Sequence, residues 1–391
     1  MSEEKLNQAT SILRELGIDA WLLLGRETEQ LCDPSLSLLL ETHVTWPSAF
    51  ILTARGERIA IVGRYDVENV RAAGGWPEVI GYDQSLRPPL RDTLARLKPE
   101  QIAINYSTGD ATADGLTHGL WLWLQDALAG TSFTKRLVTG EGIVAALRGR
   151  KTPSEVAAIR RAIATTEEIF RAIAGYLRAG RSGLQVRDYA HKEVRRRGLA
   201  TAWDPLECPI VTVGPDAAIG HVRPTEHAIG RGELVHLDFG VRKDGFCSDL
   251  QRTWYLRRRG EKKAPDAVRR AFDAVLAAIR AGQEALRPGA IGWQVDAAAR
   301  QAITGAGYPE YQHALGHGLG RSTHDGATLL GPRWERYGRT PYGVVEAGNV
   351  FTLELGVQVA GYGFIGLEED VLVTPTGCEY LSTPQTELWY A

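Results

Sequence analysis

The segment His313 to Gly326, HALGHGLGRSTHDG, holds three of the nine histidines in this 391-residue chain. Three more, His221, His227 and His236, lie upstream within the same half of the sequence. Imidazoles gathered this way act as metal ligands or as proton donors and acceptors near neutral pH. His313 and His317 are four apart, the spacing that presents two ligands on one helix face. The residues between them do not make HExxH, however, and Gly316, Gly318 and Gly320 disfavour a helix. An extended or looped backbone is expected there.

Two acidic pairs flank this segment. LVHLDFGVRKDGFCSDLQRTWYL reads as two apolar strands around a tight turn at KDG, with Asp238 and Asp249 equidistant from the midpoint of Lys243 and Asp244. Residues opposed in an antiparallel hairpin share a face, so these carboxylates are expected side by side. In NVFTLELGVQVAGYGFIGLEEDVLVT the turn lies at the glycines around Tyr362, and Glu354 and Glu368 are equidistant from Gly361. Like charges crowded among Leu, Val and Phe have no obvious relief unless a cation sits between them; a β-bulge would break either register, and a single such pair could simply face water.

Four carboxylates and an imidazole suit hard or borderline divalent ions. Four acids exceed what a single catalytic zinc site normally uses, so a two-ion cluster with bridging carboxylates accounts for them better. Such a cluster serves hydrolysis, by lowering the pKa of a shared water and polarising a scissile carbonyl. One histidine is enough as a ligand; the others remain available as donors to a substrate or a tetrahedral intermediate.

The elements that must position these groups belong to the later part of the chain. At 391 residues two domains are expected. The first third alternates helix and strand: a helix over KLNQATSILRELG, a strand at DAWLLLG, two strands around Arg55-Gly56, then helix, strand and helix. It carries neither a dinucleotide fingerprint nor a phosphate loop. At LRGRKTPSEVAAIRR, Thr152 caps a helix, Pro153 takes its first position and Glu155 completes a capping box. The break therefore falls near residues 145–152, giving an N-terminal α/β domain, 1–147, and a catalytic domain, 148–391.

Composition excludes several classes. A net charge of −2 gives no electrostatic reason to expect nucleic acid or an anionic membrane as a partner. No apolar run reaches a membrane span, and the start lacks the layout of a signal peptide. Four scattered cysteines, without a CxxC pair, indicate neither a disulfide framework nor a zinc ribbon, so a cytoplasmic protein is expected.

Asp-x10-Asp, HxxxHGLG, FTLE and LEEDVLVT, in that order, together resemble the metallopeptidases of the pita-bread fold. That family includes aminopeptidase P, prolidase and methionine aminopeptidase, with creatinase as a metal-free relative. The resemblance implies an α+β fold in which a creatinase-like N-terminal α/β domain precedes a curved antiparallel sheet flanked by helices. An N-terminal domain of this size favours the Xaa-Pro branch. By the resemblance, Asp238, Asp249, His317, Glu354 and Glu368 match the five ligands of two divalent ions, with Asp249 and Glu368 bridging. Manganese is favoured, and cobalt or zinc are alternatives. His221 in IGHVRP matches a histidine that approaches the substrate, His324 in RSTHDG one that stabilises the intermediate, and His313 a substrate-side histidine near the proline subsite. Glu354 is the candidate for shuttling a proton. Because no ligand is missing, metal-free chemistry and a purely binding role are disfavoured.

Three positions depart from the family pattern. Lys243 stands where an aromatic is common, Leu355 replaces the proline of EPG, and Gly366 replaces an arginine two residues before the last glutamate. Losing that arginine removes a charge and a fork of donors near the carboxylates, which Lys243 could partly restore. Away from the motifs, His227 and His236 read as structural or surface histidines, Glu369 and Asp370 as support for the ligands or solvent-facing, and Cys247 as packing. Trp203, Tyr255 and Tyr311 read as core rather than a lining for a proline ring. The function implied is hydrolysis of the bond before proline, by a Xaa-Pro dipeptidase or, alternatively, an aminopeptidase P acting on longer peptides. A homodimer or higher homo-oligomer is expected.

Overall fold

The computed structural model describes residues 2–220 and 222–391. His221, expected to approach the substrate, lies outside the described residues. The chain divides into two compact units, Met1–Arg148 and Gly149–Ala391.

In the first unit a six-stranded sheet runs Glu78–Tyr82, Arg58–Gly63, Ser48–Thr53, Ala20–Gly25, Ile102–Ile104, Leu137–Thr139. Its central strand, AWLLLG, is apolar throughout because both faces are covered. Trp21 and Leu23 pack with Leu6, Ala9 and Leu13 of the first helix, while Leu22 and Leu24 pack with Leu90, Leu94 and Leu124 of helices on the other side. The turn expected at Arg55-Gly56 joins two antiparallel strands, with Gly56 at φ 97°.

The second unit opens on the helix Pro153–Tyr176. Thr152 accepts from the Glu155 backbone while the Glu155 side chain accepts from the Thr152 N–H, as TPSE requires. A sheet follows in the order Val350–Val359, Gly363–Val373, Leu250–Tyr255, Leu234–Phe239, Ile210–Val213. Each of these neighbours is antiparallel. Strand alternation sorts its two faces. Leu237 and Phe239 join Phe170, Val186 and Ala190 in one core, and Leu353, Leu355, Ile365 and Leu367 join Phe272, Val275 and Ile279 in another. The intervening residues, His236, Asp238, Glu354, Gly366 and Glu368, project from the opposite face. This is the expected α+β class, with the acids on the face that the helices do not cover.

Candidate metal centre

The acids form one row across the sheet. Glu354 stands opposite Glu368, Glu368 opposite Gln251, and Gln251 opposite Asp238. The first pairing is the one that symmetry about Gly361 demands. The second acidic pair sits in a different register. The turn is centred on Asp244-Gly245, with φ of 53° and 79°, and Lys243 pairs with Phe246. Positive φ at both central residues is the tight hairpin turn whose twist matches the strands. Asp238 therefore faces Gln251, and Asp249 lies two residues away along that strand. A slip of two preserves the face, so both carboxylates still point the same way. The ladder is also interrupted beside Gly240, where a Cβ would lie 1.8 Å from the Ser248 carbonyl. There the Asp249 N–H donates to the Asp370 side chain, Oδ2, at 3.2 Å rather than to a backbone carbonyl.

His317 reaches the row from an extended segment. Gly316 exchanges two backbone hydrogen bonds with Leu330, the Thr352 N–H donates to the His317 carbonyl, and the Glu354 N–H donates to the Leu315 carbonyl. A Cβ on Gly316 would lie 1.9 Å from the Thr352 carbonyl oxygen, and one on Gly318 would lie 2.3 Å from that of Gly326. The glycines are needed because backbone meets backbone here. His317 Nδ1–H donates to the Thr323 carbonyl at 2.9 Å, which fixes the tautomer and leaves the Nε2 lone pair for a ligand. That Nε2 lies 3.8 Å from Glu354 Oε1 and 3.9 Å from Asp249 Oδ2. Ligand atoms of Asp249, His317 and Glu368 all fall within 4.8 Å of one another.

Electrostatics sharpen the picture. Burial, above all, pushes Asp238 up to about 7 and Glu354 up to about 8, the latter helped by the charge of Asp238. Burial, then their acidic neighbours, carry Asp249 and Glu368 well above the carboxylate range. Burial and the nearby His324 press His317 down to about 3, so it stays neutral. Asp238 Oδ1 and Asp249 Oδ1 are buried without a hydrogen-bond donor among the described residues. Orphaned carboxylate oxygens and a neutral imidazole are the donor set that a divalent cation satisfies, and these residues fit such an ion.

On the helix side the sheet is braced by a buried ion pair. Arg252 donates to Glu369 at 3.0 Å and to the backbone carbonyls of Gln251 and Glu368, tying together the strands that carry the ligand candidates. Ser382 donates to the same Glu369 carboxylate at 2.6 Å.

The model of metallopeptidase family M24 matches residues 157–375. The chain belongs to that family. An uncharacterized peptidase of Staphylococcus saprophyticus is 30% identical over 386 residues, covering 97% of this chain and 99% of its own. The solved Xaa-Pro dipeptidase from Bacillus anthracis superposes with a TM-score of 0.75 at 25% identity, covering all of both chains. An X-Pro aminopeptidase from Thermotoga maritima shares the fold, with a TM-score of 0.73 at 23% identity over 99% of each chain. The protein is thus an M24 metallopeptidase of pita-bread fold that uses divalent metal and acts on peptides. No helix among the described residues is long and apolar enough to cross a membrane.

Several sequence expectations for this M24 enzyme take a definite form. His324 is exposed, with its ring 4.3 Å from that of His317 in an edge contact. His313 is exposed and its ring lies 5.5 Å from that of half-buried Tyr311. Glu369 and Asp370 are buried, not solvent-facing. The ammonium of Lys243 donates to Thr165 on the long helix at 2.9 Å. Leu355 is core, packed beside Leu353 and Leu367. Tyr255 is core too, donating to Glu261, and Cys247 is buried, its thiol directed at the carbonyls of Ala202 and Arg321. His227 is a surface residue beside Glu233.

One residue beside the acids was not singled out in the sequence, and one read as structural or surface is structural. Gln251, not singled out, donates from its amide to Glu354 Oε2 at 2.9 Å. His236, read as structural or surface, is buried and bonded to Gln251 Oε1 at 2.9 Å, its pKa pressed by burial to about 4. Strand parity held the signal, since His236 lies two before Asp238 and Gln251 two after Asp249.

Proposed function

We propose that Asp238, Asp249, His317, Glu354 and Glu368 hold two divalent cations, manganese foremost, and that the enzyme hydrolyses the Xaa-Pro bond of dipeptides. The observation that carries this is the convergence of Asp249, His317 and Glu368 ligand atoms within 4.8 Å, with Glu354 and Asp238 alongside. The likeness to a Xaa-Pro dipeptidase over the full chain supports the substrate class. When bound, the ions supply Lewis acidity, which makes water a nucleophile near neutral pH and polarises a carbonyl.

The chain's own groups supply the rest. Asp249 and Glu368 would be the carboxylates shared between the two ions. Glu354, the candidate for shuttling a proton, keeps Oε1 toward the site while Oε2 is held by Gln251. His324 would donate to an oxyanion as it develops. His313 is a substrate-side contact, and His221 is its expected companion.

The test compares Ala-Pro with Ala-Pro-Ala in the presence of manganese. Cleavage confined to the dipeptide is expected; efficient release of alanine from the tripeptide would instead identify an aminopeptidase P. Metal analysis is expected to give about two ions per chain, and Asp249→Ala to lose both ions and activity. If both peptides survive intact, the reading fails.

A further inference from the structure

We propose that Gln251, oriented by His236, is a positioning residue that selects which oxygen of Glu354 faces the cations. This deepens the function proposed above and rests on Glu354 being a cation ligand. The polarity of the chain of contacts is set from its far end. An ionised Glu354 can only accept, so the Gln251 group 2.9 Å from Oε2 is the NH2, and Gln251 Oε1 must point the other way. There it meets His236 Nε2 at 2.9 Å, which has to be the protonated nitrogen. His236 Nδ1 is then an acceptor, and Thr212 Oγ1 lies on that side at a long 3.5 Å. Each member has one orientation, and together they leave Glu354 Oε1 turned toward His317 Nε2.

The room for this arrangement comes from Gly366. A Cβ there would approach His236 Nε2 to 2.6 Å and Gln251 Oε1 to 2.7 Å. The departure at residue 366 and the His236–Gln251 pair are therefore one feature: any side chain at 366 would displace the pair. Gln251 also stands in the acidic row itself, between Glu368 and Asp238. It places an uncharged donor where a further acid would add repulsion.

Removing a group that orients a ligand typically costs about 10–100-fold in metal affinity or activity. Gln251→Leu keeps the bulk and removes the donor. Calorimetric titration of the full-length, metal-stripped protein with Mn2+ is expected to show affinity weakened within that range, and kcat on Ala-Pro to fall with little change in KM. His236→Leu is expected to give a similar loss, and the double variant no further loss, because both act through one contact. His236→Gln, which retains a donor for Gln251 Oε1, is expected to keep near-wild-type affinity. Should His236→Leu fail to fold, His236→Gln carries the test, and a loss as deep as that of Gln251→Leu overturns the proposal. So does wild-type Mn2+ affinity in Gln251→Leu, or additivity in the double variant. If the unmutated protein takes up no Mn2+, the cation-site reading fails and this proposal falls with it.

Discussion

Side chains in this site divide by what they face. His317 is partly buried, neutral and locked through Nδ1 to the Thr323 carbonyl, which suits a ligand. His324 meets it edge-on yet is exposed, so it is accessible to a substrate. The two are expected to separate cleanly on mutation. His317→Ala should lose bound cation. His324→Ala should keep metal stoichiometry while kcat falls on the order of 100-fold, the size of a general acid–base or oxyanion contribution. Metal analysis beside steady-state kinetics checks both, and metal loss in His324→Ala would make that residue a ligand. Residue types and spacing made this set legible: the acids stand at strand-parity positions, and the glycines rule out a helix around His317. Gln251 was not legible, because an amide among acids carries no chemical signature until its partner is seen. His236 was discounted because it matched no motif.

Among elements, the hairpins differ in how far symmetry can be trusted. Val350–Val359 and Gly363–Val373 pair without interruption, so reflection through Gly361 places Glu354 against Glu368. The other hairpin is broken beside Gly240, and its turn at Asp244-Gly245 moves the register by two. Nothing in the apolar pattern marks that shift, because the period of two conceals it. The delivery of His317 is likewise tertiary, depending on backbone bonds from Leu315 and His317 to the strand Val350–Val359 and from Gly316 to Leu330. Gly316→Ala tests it. With the Thr352 carbonyl 1.9 Å from the new methyl, the segment must move away from the sheet. A loss of about 1–3 kcal/mol is expected, as for other overpacked sites, together with weaker Mn2+ binding because the His317 imidazole moves with its backbone. Denaturant melts and calorimetry read the two effects. Lost stability with unchanged affinity would show that His317 is held by its side-chain contacts alone.

Over the whole chain, the start of the long helix at Pro153 was legible from its capping box, and the two-faced central strand of the first unit from its unbroken apolar run. What no local pattern reveals is the energetic cost of gathering the acids, which couples the fold to the ions. Asp238 and Glu354, at about 7 and about 8, titrate far above unfolded carboxylates, whose pKa lies near 4. A carboxylate with a raised folded pKa keeps its proton in the native chain after the unfolded chain has released it, so stability falls as pH climbs toward the folded value. Well above pH 6.5, His236 and His317 add little opposing slope, being neutral in the native chain and mostly neutral once unfolded. Chelated protein is therefore expected to melt at a lower temperature near pH 8.5 than near pH 6.5. Divalent cations reverse the trend, since they compete with the same protons and bind more tightly as pH rises. At a free concentration 100 times Kd the added stability is about 2.7 kcal/mol. The gap between melts in Mn2+ and in chelator should thus widen with pH, and Asp249→Ala should abolish it. Scanning calorimetry across this range decides the matter. A gap that stays constant would mean that the cations displace no protons, and that the four carboxylates are already ionised in the metal-free protein.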